Sequence, residues 1–264
     1  MSNQKPHLYY LIFDWETGGL TSNDCAVVEL VMIALRADNF EEIGRVDNII
    51  VPYDKNGITC NYDFDSHMIL DVSKKLPKEN QDLIKDINND IKSIYDFTYS
   101  EGSYKVHGIG SKEMMSDGVE IVDVVKAVIK LANSAKVSNF SKAVLVGHNP
   151  DFDRNFLQQV FEVTGNMKSM EKIFHGSKDH YGNFQPHMID TIDLAKLKWH
   201  KNEEEISGYS LEVCANKAGI DLVGAHRAIN DVITTKDLLL YFKNCIRSDV
   251  KKEDSFRFRE KFEF

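Results

Sequence analysis

The most constraining feature of this chain is an apolar segment near its beginning that ends abruptly in two carboxylates. Residues 8–13 (LYYLIF) contain no charged side chain, and an apolar run of that length is typical of a strand buried on both faces. Asp14 and Glu16 follow at once, and because side chains alternate along a strand, both carboxylates lie on one face. The chain is therefore predicted to fold around a central strand that brings two acids to one point of a covered sheet.

Further segments alternate between strand and helix patterns. Residues 27–35 and 45–51 predict two more strands close to the first, arranged as an antiparallel meander. Asn149 and Pro150 then predict a helix start, which places Asp153 in the first helical turn. The remaining expected elements are strands at 143–146 and 188–194, the latter running into a helix, and helices at 211–218 and 228–243. The pattern predicts the α/β class.

Composition narrows the possible functions. The chain has 264 residues, 42% of them hydrophobic, which fits one large domain or a domain with a modest appendage. Its net charge of −9 argues against a protein that coats long duplexes, because such binding scales with the phosphates neutralised. The 4 cysteines stand singly, as expected of reduced thiols and not of a disulfide framework or a zinc site. With neither a signal peptide nor an apolar run of membrane length visible, we expect a soluble cytoplasmic protein.

Four carboxylates from three distant segments are the candidate metal ligands. They are Asp14, Glu16, Asp153 and Asp231. Gathered in one pocket, they would raise one another's pKa values unless cations were bound there. An all-oxygen ligand set favours magnesium or manganese, whereas zinc prefers histidine or cysteine. We therefore predict two Mg²⁺ or Mn²⁺ ions, the arrangement that clamps the attacking and leaving oxygens of a phosphodiester.

Three motifs resemble the DEDDh family of 3′–5′ exonucleases. They are residues 13–20 (FDWETGGL), 147–153 (GHNPDFD) and 226–231 (HRAIND). The resemblance covers about 8–50 and 105–242 and implies a ribonuclease-H-like fold: a mixed sheet, with an antiparallel meander followed by strand–helix units, flanked by helices. It also implies that His226 is the general base that takes a proton from the attacking water.

The first motif is also expected to contact substrate. By the same resemblance, Thr17, Gly18, Gly19 and Leu20 line the end of the scissile strand, where backbone N–H groups and an apolar wedge hold the terminal nucleotide. Gly18 stands where the family usually has a second threonine. That departure removes a hydroxyl and leaves the fine substrate preference open. Trp15, between the two acids, is expected to face the core.

Two further segments suggest substrate contacts. His107 and Ile109 match the family's H-G-I segment, in which the apolar residue packs on the terminal base. A glycine-containing turn before a helix is the alternative. We expect Asn149 to contact substrate or to cap its helix, and His148 to be structural.

Two regions fall outside the family pattern. We expect an exonuclease domain at 1–246 with an inserted segment at about 53–104, which contains a helix at 79–95, and a C-terminal tail at 247–264. The phenylalanine-rich tail could add a strand to a partner's sheet edge, complete this protein's own sheet, or be a disordered end.

The motifs together predict a metal-dependent 3′–5′ exonuclease. It would release nucleoside 5′-monophosphates from single-stranded or frayed DNA 3′ ends in proofreading, replication or repair. RNA trimming, as by RNase T or oligoribonuclease, is the enzymatic alternative, because the choice between DNA and RNA leaves no readable motif. A nuclease-like scaffold that binds a polymerase or clamp through the insert or tail is the alternative from another class. All five catalytic positions are filled, which favours the enzyme.

Overall fold

The computed structural model describes residues 8–199, 206–222 and 227–248. The predicted general base, His226, and the tail beyond residue 248 lie outside the described residues.

A mixed sheet of five strands forms the centre of the protein, in the order β3-β2-β1-β4-β7. The strands along the chain are β1 (Leu8–Thr17), β2 (Val27–Leu35), β3 (Glu42–Ile49), β4 (Lys142–Gly147), β5 (Gly176–Lys178), β6 (Phe184–Pro186) and β7 (Met188–Asp190). The pairs β1–β2 and β2–β3 are antiparallel, while β1–β4 and β4–β7 are parallel. The predicted meander followed by strand–helix units is confirmed. A separate hairpin pairs β5 with β6.

The third strand was predicted at 45–51 but begins earlier and ends earlier. β3 is the edge strand of the sheet and is only partly buried, so polar side chains such as Glu42 and Arg45 occur at its start. These two side chains form an ion pair at 2.7 Å. The apolar pattern therefore marked the end of this strand better than its beginning.

Helices cover both faces of the sheet. They are α1 (Phe64–His67), α2 (Lys78–Ile94), α3 (Glu101–His107), α4 (Ser111–Asp117), α5 (Ile121–Ser134), α6 (Pro150–Val163), α7 (Met167–Ile173), α8 (Thr191–Trp199), α9 (Leu211–Ala218) and α10 (Ala228–Ser248). Within the described part of the chain, no helix combines the length and the apolar character needed to cross a membrane.

The side chains of β1 alternate between two hydrophobic cores. Leu11, Phe13 and Trp15 belong to the larger core, which also contains residues of α5 and α6. Ile12 belongs to the smaller core with Val232 of α10. Asp14 and Glu16 follow Ile12 at even spacing, so they lie on the face that α10 covers. Trp15 is 4% exposed, which confirms the prediction that it faces the core.

The segment predicted as an insert is attached to the loop that follows β1. Its helix α2 lies within one residue of the predicted 79–95 at each end. Beyond α2, the Thr98 amide donates to the Asp24 carbonyl at 2.8 Å, and the Ser100 amide donates to the Gly18 carbonyl at 2.7 Å. This part of the insert therefore braces the loop that begins at the two acids. The predicted domain boundaries remain a proposal.

Candidate active site

A cluster of carboxylates lies where the end of β1 meets the first turn of α10. Asp14 and Glu16 come from β1 and Asp231 from α10, and one oxygen of each lies within 4.8 Å of those of the other two. Glu16 is only 8% exposed. Three of the four carboxylates that the sequence predicted as metal ligands therefore lie together in the folded chain.

The fourth candidate, Asp153, approaches the cluster from the first turn of α6. It is 4% exposed, and its carboxylate accepts a hydrogen bond from the backbone of Trp15. After burial, the charge of Asp153 is the largest cause of the raised pKa of Asp14. Asp153 therefore lies close enough to Asp14 to share its environment, although it is not within the tighter group formed by the other three.

Burial and mutual repulsion raise the pKa values of these acids. Burial raises the pKa of Asp14 well above its usual range, and the charges of Asp153, Glu16 and Asp231 add to the effect. Burial, followed by the charges of Asp231 and Glu29, raises the pKa of Glu16 to about 8. Burial raises the pKa of Asp153 to about 7. Oxygen donors with excess negative charge fit a hard divalent cation, which would offset the repulsion.

Without cations, the protein is expected to lose stability as the pH rises from about 5 to about 8. The pKa of Glu16 is about 8 in the folded protein against an ordinary 4.5. The folded state therefore binds more protons than the unfolded chain in this window, and the free energy of unfolding falls by up to about 1.4 kcal/mol per pH unit for each such group. Calorimetric melting across this range, with and without saturating Mn²⁺, measures the effect, and Mn²⁺ should stabilise the protein most at high pH.

The variant Glu16→Gln serves as the control, because its melting temperature should fall less steeply with rising pH than that of the unaltered protein. Hydrogen bonds lower the pKa values of Asp38 and Asp54. What these two groups add to the stability of the protein is therefore lost only at more acidic pH, below this window. A melting temperature that rises with pH in the cation-free protein would contradict the expectation.

A cleft of about 410 Å³ opens beside the acids. Its lining combines the end of β1 with the insert, α3 and α6: Trp15, Glu16, Thr17, Leu20, Asp71, Ser100, Gly102, Ser103, Val106, His107 and Phe152. Three residues predicted to contact substrate, Thr17, Leu20 and His107, line this cleft. Leu20 is 85% exposed, so its side chain is available to a ligand.

Ile109 does not reach the cleft. It is 1% exposed and belongs to the larger core, because Gly108 ends α3 in the left-handed conformation (φ 71°) and turns the chain inward. Val106, in the last turn of α3, is 55% exposed and lines the cleft. Phe152 of α6, which is partly buried against the larger core, also lines it. The apolar surface of the cleft is therefore formed by Leu20, Val106 and Phe152, and not by Ile109.

Hydrogen bonds within the chain already engage the turn after β1. The Thr17 hydroxyl donates to the Gly19 carbonyl at 2.8 Å. The Gly18 amide donates to the Ala26 carbonyl at 2.8 Å, so it is not free to bind a nucleotide as predicted. The expected contact through backbone N–H groups does not extend to Gly18.

Gly18 is required by a close approach of Thr98 and Tyr99. A β-carbon at this position would lie 2.7 Å from the Thr98 carbonyl oxygen and 2.9 Å from Cδ1 of Tyr99. The family's usual threonine has no room here, because Thr98 and Tyr99 occupy the space of its side chain.

The substitution Gly18→Thr is therefore expected to destabilise the protein by about 1–3 kcal/mol, the usual cost of overpacking. Thermal melting measures this. Gly208→Thr is the matched control, since nothing lies within 4 Å of a β-carbon added at Gly208. Equal melting temperatures for the two variants would contradict the steric role of Gly18.

His107 joins α3 to the end of β1 as a neutral imidazole. Its Nδ1 accepts the Ile109 amide at 3.0 Å. Burial lowers the pKa of His107 to about 4, so the ring is neutral at physiological pH, and the backbone of Thr17 lies close to it. Because Nδ1 accepts a hydrogen bond, the proton is on Nε2, which is buried and has no hydrogen-bond partner among the described residues. This ring therefore supports the wall of the cleft near Glu16.

The second motif turns sharply between β4 and α6. Asn149 adopts the left-handed conformation (φ 64°) directly before the helix, and its side chain makes no capping hydrogen bond within the described chain. Its backbone amide instead donates to Asp190 at 3.1 Å. His148 bonds Thr191 and the Tyr209 carbonyl, each at 2.8 Å, in keeping with the structural role expected of it. The predicted contact of Asn149 with substrate stays a prediction.

Sequence reasoning missed Glu29. This carboxylate lies on β2 opposite Glu16 and is 2% exposed. Arg227 pairs with it at 2.7 Å. A charged residue inside a strand that is otherwise apolar was the available signal, because a buried charge requires a partner.

The fold is the ribonuclease-H-like arrangement of a mixed sheet between helices, as predicted. Comparison with known proteins then identifies the family: an exonuclease family model matches residues 96–239, more than half of the chain. The chain belongs to this exonuclease family. The predicted resemblance to DEDD-type 3′–5′ exonucleases and the prediction of a nuclease enzyme are confirmed.

Individual relatives share parts of the chain. The 3′-5′ exonuclease DinG of Staphylococcus aureus (strain bovine RF122 / ET3-1) is 30% identical over 103 residues, which are 39% of this chain and 9% of that protein. The chain thus matches about a tenth of the length of this curated relative.

Solved structures of Escherichia coli Exonuclease I share the fold. The complex with a dT13 oligonucleotide has a TM-score of 0.54 and 16% identity, covering 91% of this chain and 42% of that one. The zinc-bound form of its complex with single-stranded DNA has a TM-score of 0.57 and 16% identity, covering 91% and 41%. At this identity the likeness is one of fold.

Proposed function

We propose that this protein is a metal-dependent 3′–5′ exonuclease that releases nucleoside 5′-monophosphates from the 3′ ends of single-stranded or frayed DNA. The observation that carries the proposal is the acidic cluster of Asp14, Glu16 and Asp231, whose oxygens lie within 4.8 Å of one another. The cleft beside it and membership of the exonuclease family support a nucleic-acid end as the ligand.

In this proposal, Asp14, Glu16, Asp153 and Asp231 hold two divalent cations, Mg²⁺ or Mn²⁺. The cations, when bound, supply Lewis acidity for an in-line displacement at phosphorus. The carboxylates give up their protons to hold them, which removes the repulsion that raises the pKa values of Asp14 and Glu16. The zinc-bound form of E. coli Exonuclease I supports a divalent cation on this fold. Comparing activity in Mg²⁺, Mn²⁺ and Zn²⁺ decides which ion is used.

His226 is proposed as the general base of a DEDDh-type site. It stands next to Arg227, which Glu29 holds at the edge of the cluster, and five positions before Asp231. A histidine in that position takes the proton of the attacking water, a role that commonly contributes about 10²–10⁴-fold to a rate.

The cleft suits an unpaired end. Its volume of about 410 Å³ is that of a small-ligand site. The side chains of Leu20, Val106 and Phe152 offer apolar surface for a terminal base, and such stacking is worth about 1–3 kcal/mol with little sequence preference. A base that is paired in a duplex cannot reach these side chains without unpairing. The E. coli Exonuclease I complex with dT13 supports DNA as the strand.

The test is parallel digestion of single-stranded DNA, single-stranded RNA and blunt duplex DNA, each labelled at the 3′ end or at the 5′ end. The proposal expects single-stranded DNA to be shortened from its 3′ end, with 5′-monophosphates as products and the blunt duplex cut most slowly. Faster digestion of RNA would replace DNA trimming by RNA trimming. The absence of hydrolysis in Mg²⁺ and in Mn²⁺ would overturn the proposal and favour the scaffold alternative. A polymerase or clamp partner stays a prediction.

A further inference from the structure

The acidic cluster has a fifth carboxylate beside it. Glu29 lies on β2, and its Cα is paired with that of Glu16 across the antiparallel ladder. It is 2% exposed, and its charge contributes to raising the pKa of Glu16. An ionised carboxylate in such a place is costly unless it is paired and hydrogen-bonded. The contacts of Glu29 therefore decide what it does.

Both oxygens of Glu29 are engaged by the start of α10. Arg227 donates from Nη2 to Oε1 at 2.7 Å and from Nε to Oε1 at 3.2 Å. The backbone amide of Ala228, the first residue of α10, donates to Oε2 at 3.0 Å. Glu29 thus satisfies one of the amide groups that a helix start leaves unpaired, and it does so from the neighbouring strand of the sheet.

A second contact holds the guanidinium from the other side. Nη1 of Arg227 lies 3.6 Å from Glu113 of α4. Arg227 is therefore placed between two acids that belong to separate elements, although its own side chain is 40% exposed. The first turn of α10 is fixed to β2 at Ala228, and Asp231 projects from that same turn.

We propose that Glu29 and Arg227 form a positioning pair for the acidic cluster, in which Glu29 anchors the start of α10 and so holds Asp231 beside Asp14 and Glu16. This inference rests on the proposed cation-dependent function. It assigns to Glu29 no contact with substrate or cation, because both of its oxygens are already used. Residues that orient metal ligands in this way typically change metal affinity or activity by about 10–100-fold when they are replaced.

Two double variants with the same local net charge test the proposal. Glu29→Ala with Arg227→Ala removes the anchor and both charges. Glu29→Gln with Arg227→Gln also removes both charges, but the amide oxygen at position 29 can still accept from Ala228. Because both variants keep the net charge of the cluster unchanged, any difference between them reports the anchor and not the electrostatic attraction of the cation.

The first measurement is Mn²⁺ affinity by calorimetry on the full chain. The alanine pair is expected to weaken Mn²⁺ binding by about 10–100-fold, and the glutamine pair is expected to restore most of it. The matched control replaces Arg36 and Asp38, an exposed ion pair at the other end of β2, by alanine and should bind Mn²⁺ as the unaltered protein does. Hydrogen exchange of the Ala228 amide in the cation-free protein should accelerate in the alanine pair alone.

The outcomes separate this inference from the proposed function. Mn²⁺ affinity that is unchanged in the alanine pair overturns the positioning role. A KM increase that is equal in both pairs, with unchanged Mn²⁺ affinity, also overturns it and makes Arg227 a substrate contact instead. An unaltered protein that binds Mn²⁺ but hydrolyses no nucleic acid overturns the proposed function, while Mn²⁺ affinity still decides the positioning role. An unaltered protein that binds no Mn²⁺ overturns both.

Discussion

Replacing Asp14 by asparagine is expected to abolish detectable hydrolysis while leaving the fold intact. Asp14 lies at the centre of the cluster, where the charges of Asp153, Glu16 and Asp231 all act on it. Loss of a ligand that holds a cation removes several kcal/mol of transition-state stabilisation, and each 1.4 kcal/mol corresponds to about a factor of ten, so a loss of about 10³-fold or more is expected. Single-turnover digestion of single-stranded DNA measures it.

The substitution should also raise the stability of the cation-free protein at neutral pH, because the folded state has to protonate Asp14, a cost that the uncharged asparagine does not carry. The expected signature is therefore an inactive protein whose melting temperature without cations is equal or higher. Asp123→Asn is the control: Asp123 is an exposed acid on α5 that pairs with Lys126. EDTA should reproduce the loss of activity in the unaltered protein, and Mn²⁺ should restore it. Near-normal hydrolysis by Asp14→Asn, or by the unaltered protein in EDTA, would contradict the assignment.

The central part of the site could be predicted because it depends on local periodicity. The run that precedes Asp14 required a covered strand, and the alternation of side chains then placed Asp14 and Glu16 on one face. Asn149 and Pro150 marked the start of α6, which placed Asp153 in its first turn. These signals lie within a few residues of the groups that they position, so a single sequence contains them.

The contacts that join distant segments could not be predicted in the same way. Glu29 and Arg227 lie 198 positions apart, and the sequence around either residue does not indicate that the other is its partner. Gly18 is explained by the carbonyl of Thr98, which belongs to a distant segment of the chain. In both cases the deciding force is tertiary packing.

The prediction for Ile109 was right about the kind of surface but wrong about the residue that provides it, because the chain takes a different path. An apolar side chain was expected beside the terminal base, and Val106 and Leu20 provide one. The motif suggested Ile109, but the left-handed turn at Gly108 sends that residue into the core. Glycine can adopt several backbone conformations, and the residues that pack around it decide which one it takes. The local sequence alone does not indicate that packing.

The second large effect is expected at His226. Its replacement by alanine should reduce turnover by about 10²–10⁴-fold, the usual contribution of a general base, while Mn²⁺ affinity is largely retained. In the unaltered protein the rate should rise with pH as the imidazole loses its proton, and flatten above that point; the alanine variant should lack this step. The pH profile of single-turnover hydrolysis, measured at saturating Mn²⁺, tests both expectations.

The control for His226 is His180→Ala, because His180 is an exposed histidine that contacts the ring of Tyr181 in a surface turn. It should match the unaltered protein in rate and pH profile. The combination expected for His226→Ala, slow turnover with intact cation binding, differs from that of Asp14→Asn, which loses both, and from that of the Glu29 and Arg227 alanine pair, which weakens cation binding first. If His226→Ala kept normal turnover and the same pH profile, the water would have to lose its proton to another group, and the DEDDh assignment would be wrong while the acidic cluster could still hold its cations.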